Sequence, residues 1–250
     1  MCERVPSCTE HVPPKCLFPE KKDVGSDSFR KNLITVPSCD EHNSKKSDDD
    51  EFLMVSIAGI VGNNSIGYIH NMTKVNRALR RTSYKLLNKV FSKKQHGQVR
   101  IKDNKFIDVI WGTPDVARLY RCFEHIAHGI YYHEFKSRFI GEIKLIMGFL
   151  THKETDKNTF AEFIRHRFDV DVRNKPKEGF NQNIFYYQFI EPDKDRLIAL
   201  KMCFYQGVNV YISFLPASSK MPYNLGFDLM NKGIETHISL YGKDYVFNKS

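Results

Sequence analysis

This 250-residue chain has no run of roughly 18 or more apolar residues, so no membrane-spanning helix is expected. It also lacks a basic start followed by an apolar stretch. No secretory leader is therefore expected, and a cytoplasmic, soluble protein is the default. No internal repeat is present, which argues against a solenoid or propeller. Acidic residues are missing where they would be conspicuous. Residues 71–100 hold Lys74, Arg77, Arg80, Arg81, Lys85, Lys89, Lys93, Lys94 and Arg100 and not one Asp or Glu. Such a segment suits a polyanion, because each phosphate contact releases counterions; it also suits a plain solvated helix face or an acidic protein. Apolar residues are scarce in residues 1–50, a stretch of Pro, Cys, Ser and charge. Something other than hydrophobic packing must hold it, and a bound metal would serve.

The rest of the composition supports a folded core, at 41% hydrophobic and 13% aromatic residues, with a formal charge of +9. Cysteines are uneven. Cys2, Cys8, Cys16 and Cys39 cluster early, while Cys122 and Cys203 stand alone among apolar neighbours. Without a leader, clustered cysteine points to metal before disulfide. Cys16, beside Leu17 and Phe18, reads as packing, as do Cys122 and Cys203.

Pattern and punctuation give an α+β reading. NLITVPSC (32–39) reads as a strand stopped near Pro37. Ser47-Asp48-Asp49-Asp50 before Phe52–Ile60 is a helix-start signature that puts the acids at a helix N-terminus. Gly62-Asn63-Asn64 breaks the chain. Val75, Leu79, Leu86 and Val90 set a helix over about 72–93, ended by Gly97. KFIDVIW (105–111) reads as a short strand. Thr113-Pro114 starts a helix to about Tyr132 that buries Val116, Leu119, Phe123, Ile126, Ala127 and Ile130. Further helices are expected near 139–150 and 158–167. From residue 184 the chain turns aromatic and β-branched, and 184–190, 196–205 and 208–215 read as an antiparallel meander. A weaker strand pair follows at HISLYG and YVFN. The expected domains are a small metal-held module, 1–62, and a body, 63–250, mostly helical and then an antiparallel sheet.

Ligand-type residues concentrate in the first part. Glu10-His11 puts a carboxylate beside an imidazole in EHVPPK. Cys39 and His42 have metal-pair spacing, C-x2-H, and Cys2 and Cys8 could complete a tetrahedral zinc site. His125, His128 and His133 fall on the 114–132 helix region and read as structural.

EHVPPK, then NLITVPSC, then CDEHNSKKS resembles the HNH (ββα-metal) endonucleases, in particular bacterial members that carry a zinc knuckle. The resemblance covers about residues 1–55. It implies a metal-dependent phosphodiester hydrolase. Glu10 would be a metal ligand, His11 the general base, Asn32 the residue fixing the loop that carries the histidine, and Asn43 the second metal ligand. An oxygen pair of this kind favours Mg²⁺ or Mn²⁺. Cys39 and His42 would bind structural zinc, with Cys2 and Cys8 as further ligands. The first zinc pair departs from the family's usual C-x2-C, since Cys2 and Cys8 stand farther apart and Cys8 lies two residues before Glu10.

Lys45 and Lys46 follow Asn43 and are candidates for phosphate, as are Arg77, Arg81 and Lys85 in the basic stretch. The expected function is an endonuclease on nucleic acid, DNA first, with a phage-defence effector as an analogy. The alternatives are a zinc-knuckle module that binds nucleic acid without chemistry, and a subunit controlled by a protein partner docked on the C-terminal region.

Overall fold

A computed structural model describes residues 6–25, 28–100, 106–193, 196–218 and 225–249, with side chains throughout except in 40–45 and 106–108. The chain opens with strand β1 (Cys8–His11), which pairs antiparallel with β2 (Thr35–Ser38); Glu10 faces Val36 and His11 faces Thr35 across the ladder. Between them lie a 3-10 turn, Lys15–Leu17, and the short helix α1 (Lys21–Val24). Gly25 ends α1 at φ 62°, a left-handed cap conformation that costs glycine little.

β2 runs directly into the long helix α2 (Asp40–Ala58). The helix therefore starts before the Ser47–Asp50 signature, not at it. Its second half is apolar on every side, and Phe52, Leu53, Met54, Val55, Ile57 and Ala58 are all buried, as a central helix requires. At its end the Asn63 amide donates to the Ile57 and Ala58 carbonyls, at 2.8 and 3.0 Å, which satisfies two terminal acceptors.

The expected helix over 72–93 is divided. α3 (Ser65–His70), capped by the Asn64 carboxamide, continues through a π-helical turn, Asn71–Val75, into α4 (Asn76–Arg81) and then α5 (Lys85–Val90). From Phe91 the backbone is extended. β3 (Phe91–Arg100) pairs antiparallel with β4 (Phe106–Pro114), with an irregularity between Ser92 and Gln95. Among the described residues the two form a sheet of their own. Gly97 thus lies inside a strand instead of ending a helix.

Helix α6 (Val116–Phe135) is capped by Asp115, whose side chain accepts from the Arg118 amide, and not by Thr113. It buries Leu119, Phe123, Ile126, Ala127 and Ile130, while Val116 is exposed. The helix expected near 139–150 is instead strand β5 (Gly141–Met147); helix α7 (Thr155–Asp171) falls where one was expected. The meander is present as β6 (Phe185–Ile190), β7 (Ile198–Phe204) and β8 (Val208–Pro216), and β5 joins it to give the order β5-β8-β7-β6, all antiparallel. Helix α8 (Leu225–Asn231) and the hairpin β9 (Thr236–Leu240) with β10 (Lys243–Phe247) follow.

One apolar cluster joins Val12, Leu17, Phe18 and Val36 from the N-terminal part to α2, α6 and the sheet residues Phe204, Ile212 and Phe214. The N-terminal stretch therefore has few apolar residues but buries them in the main core. The breakpoint at Gly62-Asn63-Asn64 is tied to that core: the Asn64 amide donates to the Tyr205 carbonyl at 2.8 Å, and the Tyr205 hydroxyl donates to the Leu17 carbonyl at 2.5 Å. A smaller cluster of Phe163, Tyr245 and Phe247, backed by Phe160, Phe227 and Met230, knits α7, α8 and the last hairpin.

Candidate functional site

The strand–strand–helix order of β1, β2 and α2 sets Glu10 and His11 at the end of a short ladder beside the first turns of α2. Glu10 accepts from the Ser38 hydroxyl at 3.2 Å on one oxygen and from the Lys46 ammonium at 3.3 Å on the other. Both partners of the ion pair are shielded, at 12% exposure for Lys46 and 18% for Glu10. Lys46 is thus turned inward onto the carboxylate, not outward toward phosphates.

His11 is half-buried, and its Nδ1 is buried with no hydrogen-bond partner among the described residues. Burial lowers its pKa below 6.5; the charges of Lys15, Arg30 and Lys46 push the same way, and the Ile34 carbonyl opposes them. At neutral pH the imidazole is therefore uncharged, with a lone pair to accept a proton. An orphaned buried ring nitrogen costs stability and needs a reason, and a catalytic role is one.

The next turn of α2 adds acids that the sequence reading left at a helix terminus. Asp50 is raised to about 6, mainly by burial, with Glu10 and Asp49 adding to the rise and Lys46 opposing it. Asp49 is paired with Arg118 of α6 at 2.6 Å. That contact, the Cys122 thiol on the Asp49 carbonyl at 3.8 Å, and the packing of Gly129 on Val12 lay α6 along the site. A Cβ on Gly129 would stand 2.7 Å from a Val12 methyl. His125 lies on the same stretch of α6. It is open to solvent, yet desolvation by its neighbours lowers its pKa; Lys46 pushes the same way, and Glu124, Glu10 and Asp49 oppose it. Asp50 and His125 are thus members of this neighbourhood that sequence reasoning missed. The signal for Asp50 was its place two helical turns after Asn43; His125 is brought in by tertiary packing alone.

The other expected residues are spread. Asn32 does not open a strand. It sits at φ 50°, exposed, ahead of β2, and lines a shallow pocket with Val12, Pro13, Asn181 and Phe185. Asn43 lies on α2, with its side chain, like those of His42 and Lys45, outside the described residues; Cys2 is outside them entirely. The Cys8 thiol donates to the Ser38 carbonyl at 3.4 Å, and Cys39 is buried at the N-cap of α2. Since Cys8 faces Ser38 across the ladder, Cys8 and Cys39 are near neighbours. Cys16 packs as expected: its thiol donates to the Asp50 carbonyl at 3.2 Å, and burial pushes it up to about 12. Among the described residues no group of three or more His, Cys, Asp or Glu is arranged to hold a metal ion.

The basic stretch finds acids in space that it lacks in sequence. Arg77 makes a two-pronged pair with Asp23, at 2.7 and 2.8 Å, and Arg81 pairs with Glu51 at 2.5 Å. Lys85 is exposed. Arg77 and Arg81 thus spend their charge within the fold. No family model matches the chain, and no characterised protein or solved structure does either.

Proposed function

We propose that the chain is a metal-dependent endonuclease of the HNH type, with His11 as general base and Glu10 and Asn43 holding a divalent metal. The observation that carries the reading is the ββα order itself: Glu10-His11 ends the first strand, and Asn43 lies on the helix that leaves the second. The residues present fit a cation. A lysine ammonium already stands against Glu10, and the buried carboxyl of Asp50, raised by its acidic neighbours, marks a spot short of positive charge. A bound Mg²⁺ or Mn²⁺ would supply charge to the phosphate oxygens as the phosphodiester breaks. His11 would take the proton of the attacking water, a task suited to an imidazole that is neutral at working pH. Lys15 and Arg30, whose charges reach His11, would favour the approach of a phosphate. Zinc on Cys39 and His42, with Cys2 and Cys8, would brace the start of α2.

The engaged state of Glu10 favours a second reading, in which Lys46 replaces the metal and the module binds nucleic acid without cutting it. Supercoiled plasmid separates the two. The nuclease reading expects nicking with Mg²⁺ or Mn²⁺, none with EDTA, and loss in Glu10→Ala. Binding with no cleavage under any metal supports the second reading.

A further inference from the structure

The β3–β4 arm is the largest feature that this function leaves unused. Its strands pair with each other, and β3 carries Lys93, Lys94, Gln95, His96 and Gln98 with no acid along its length. It grows from α5, which presents Lys85 and Lys89, exposed and one turn apart. Among the described residues none of Lys85, Lys89, Lys93 and Lys94 is in an ion pair; Lys94 donates to the neutral amide of Asn88 at 2.6 Å and keeps its charge unmatched. This is the reverse of Arg77 and Arg81, so the uncompensated charge of the basic stretch lies at the arm and its base.

The arm also holds Trp111, the only tryptophan in the chain, 47% exposed. Its indole nitrogen donates to the Gln95 side chain at 2.8 Å, and its ring lies over Gly97, where a Cβ would stand 2.6 Å from the ring edge. The indole is thus fixed from within the arm and open on its outer side. A fixed aromatic surface flanked by unmatched cations suits a strand whose bases are free to stack while its phosphates meet lysine. A fully paired duplex would offer the phosphates but not the base faces.

We infer that this arm, with α5 at its base, grips an unpaired nucleic-acid strand, stacking a base on Trp111 and holding phosphates on Lys85, Lys89, Lys93 and Lys94. The inference rests on the nuclease reading, since it supplies the substrate for that site. Because Trp111 is the sole tryptophan, its emission reports on the arm directly. The test uses the full-length His11→Ala protein without added Mg²⁺ or Mn²⁺, and a mixed-sequence DNA oligonucleotide, single-stranded or annealed to its complement. The expected result is saturable quenching of Trp111 by the single strand, stronger than by the duplex. Lys93→Ala with Lys94→Ala should weaken binding and reduce the slope of log affinity against log salt by about 2.

Anisotropy of labelled DNA distinguishes the failures. Binding with no change in Trp111 emission and no effect of the lysine variants overturns the arm and leaves the nuclease reading standing. A duplex that quenches as well as the single strand overturns the stacking of an unpaired base. No binding of either DNA overturns both readings. Emission that follows protein concentration instead of DNA assigns the arm to a second copy of the chain and overturns the proposal.

Discussion

His11 and His70 show one cause, burial, with two consequences. At His11, desolvation and three cations hold the pKa below 6.5, so the base is competent at neutral pH. Cleavage should therefore be flat from neutral pH upward and fall only on acidification, with an apparent midpoint below 6.5; a midpoint above that value in a rate–pH profile would contradict the assignment. His70 is fully buried at the end of α3, with Nε2 3.0 Å from the Cys16 carbonyl and a pKa lowered to about 4. A lowered folded pKa means that the unfolded chain takes up the proton first. The stability His70 contributes is present above 6.5 and is lost as pH falls through about 4. Asp50, raised to about 6, works in the opposite sense, its contribution being present below 3.8 and lost as pH rises through about 6. A comparison of wild type with His70→Gln isolates the histidine. The difference in unfolding free energy, measured by urea denaturation, should shrink between pH 6.5 and 4; a constant difference would show that the buried ring does not govern acid sensitivity.

At the scale of elements, what could be read from sequence was the local part. The meander at 184–216 was legible because its apolar runs are long, aromatic and bounded by turns. Glu10-His11, Asn32 and Asn43 were legible as a spaced set of residues, and β1, β2 and α2 arrange the ends of that set. β5 was misread because a short apolar run such as EIKLIM fits a buried strand and a helix equally well, and only pairing with β8 decides. β3 was misread because FSKKQHGQVR has modest strand propensity of its own and is made a strand by its partner. The start of α2 was placed late because Asp48–Asp50 mimics a cap; inside the helix, Asp49 is instead matched by Arg118. The contact of α6 with the site was not legible at all, since Gly129 gives no sign in sequence that Val12 will press on it. Gly129→Ala should push α6 away from β1 at a cost of about 1–3 kcal/mol, the usual range for overpacking, read as a lower denaturation midpoint. An unchanged midpoint would mean that the two elements are free to separate.

Across the whole molecule, the N-terminal part and the body share one set of buried residues. Val12, Leu17 and Phe18 lie in the cluster that also holds Phe204 and Phe214, and Tyr205 is bonded to Leu17 at one end and Asn64 at the other. Thermal unfolding should therefore give one main cooperative transition. If zinc is bound near Cys39, chelator should move that transition as a unit instead of removing a separate early one. Two transitions, one of them chelator-sensitive, would show that residues 1–62 fold apart from the rest. The shared core also bears on the chemistry, because it fixes Glu10 and His11 against α2 and α6 without relying on the loop between the two strands.

The most direct test of the nuclease reading is plasmid cleavage by His11→Ala, compared with wild type at the same Mg²⁺ or Mn²⁺ concentration and with folding checked by circular dichroism. His11 makes no side-chain hydrogen bond that holds the fold together through Nδ1, so the variant should keep the wild-type spectrum and thermal midpoint. Loss of a general base should lower the rate by roughly 10²–10⁴-fold. A folded His11→Ala protein that cleaves at the wild-type rate would contradict the account.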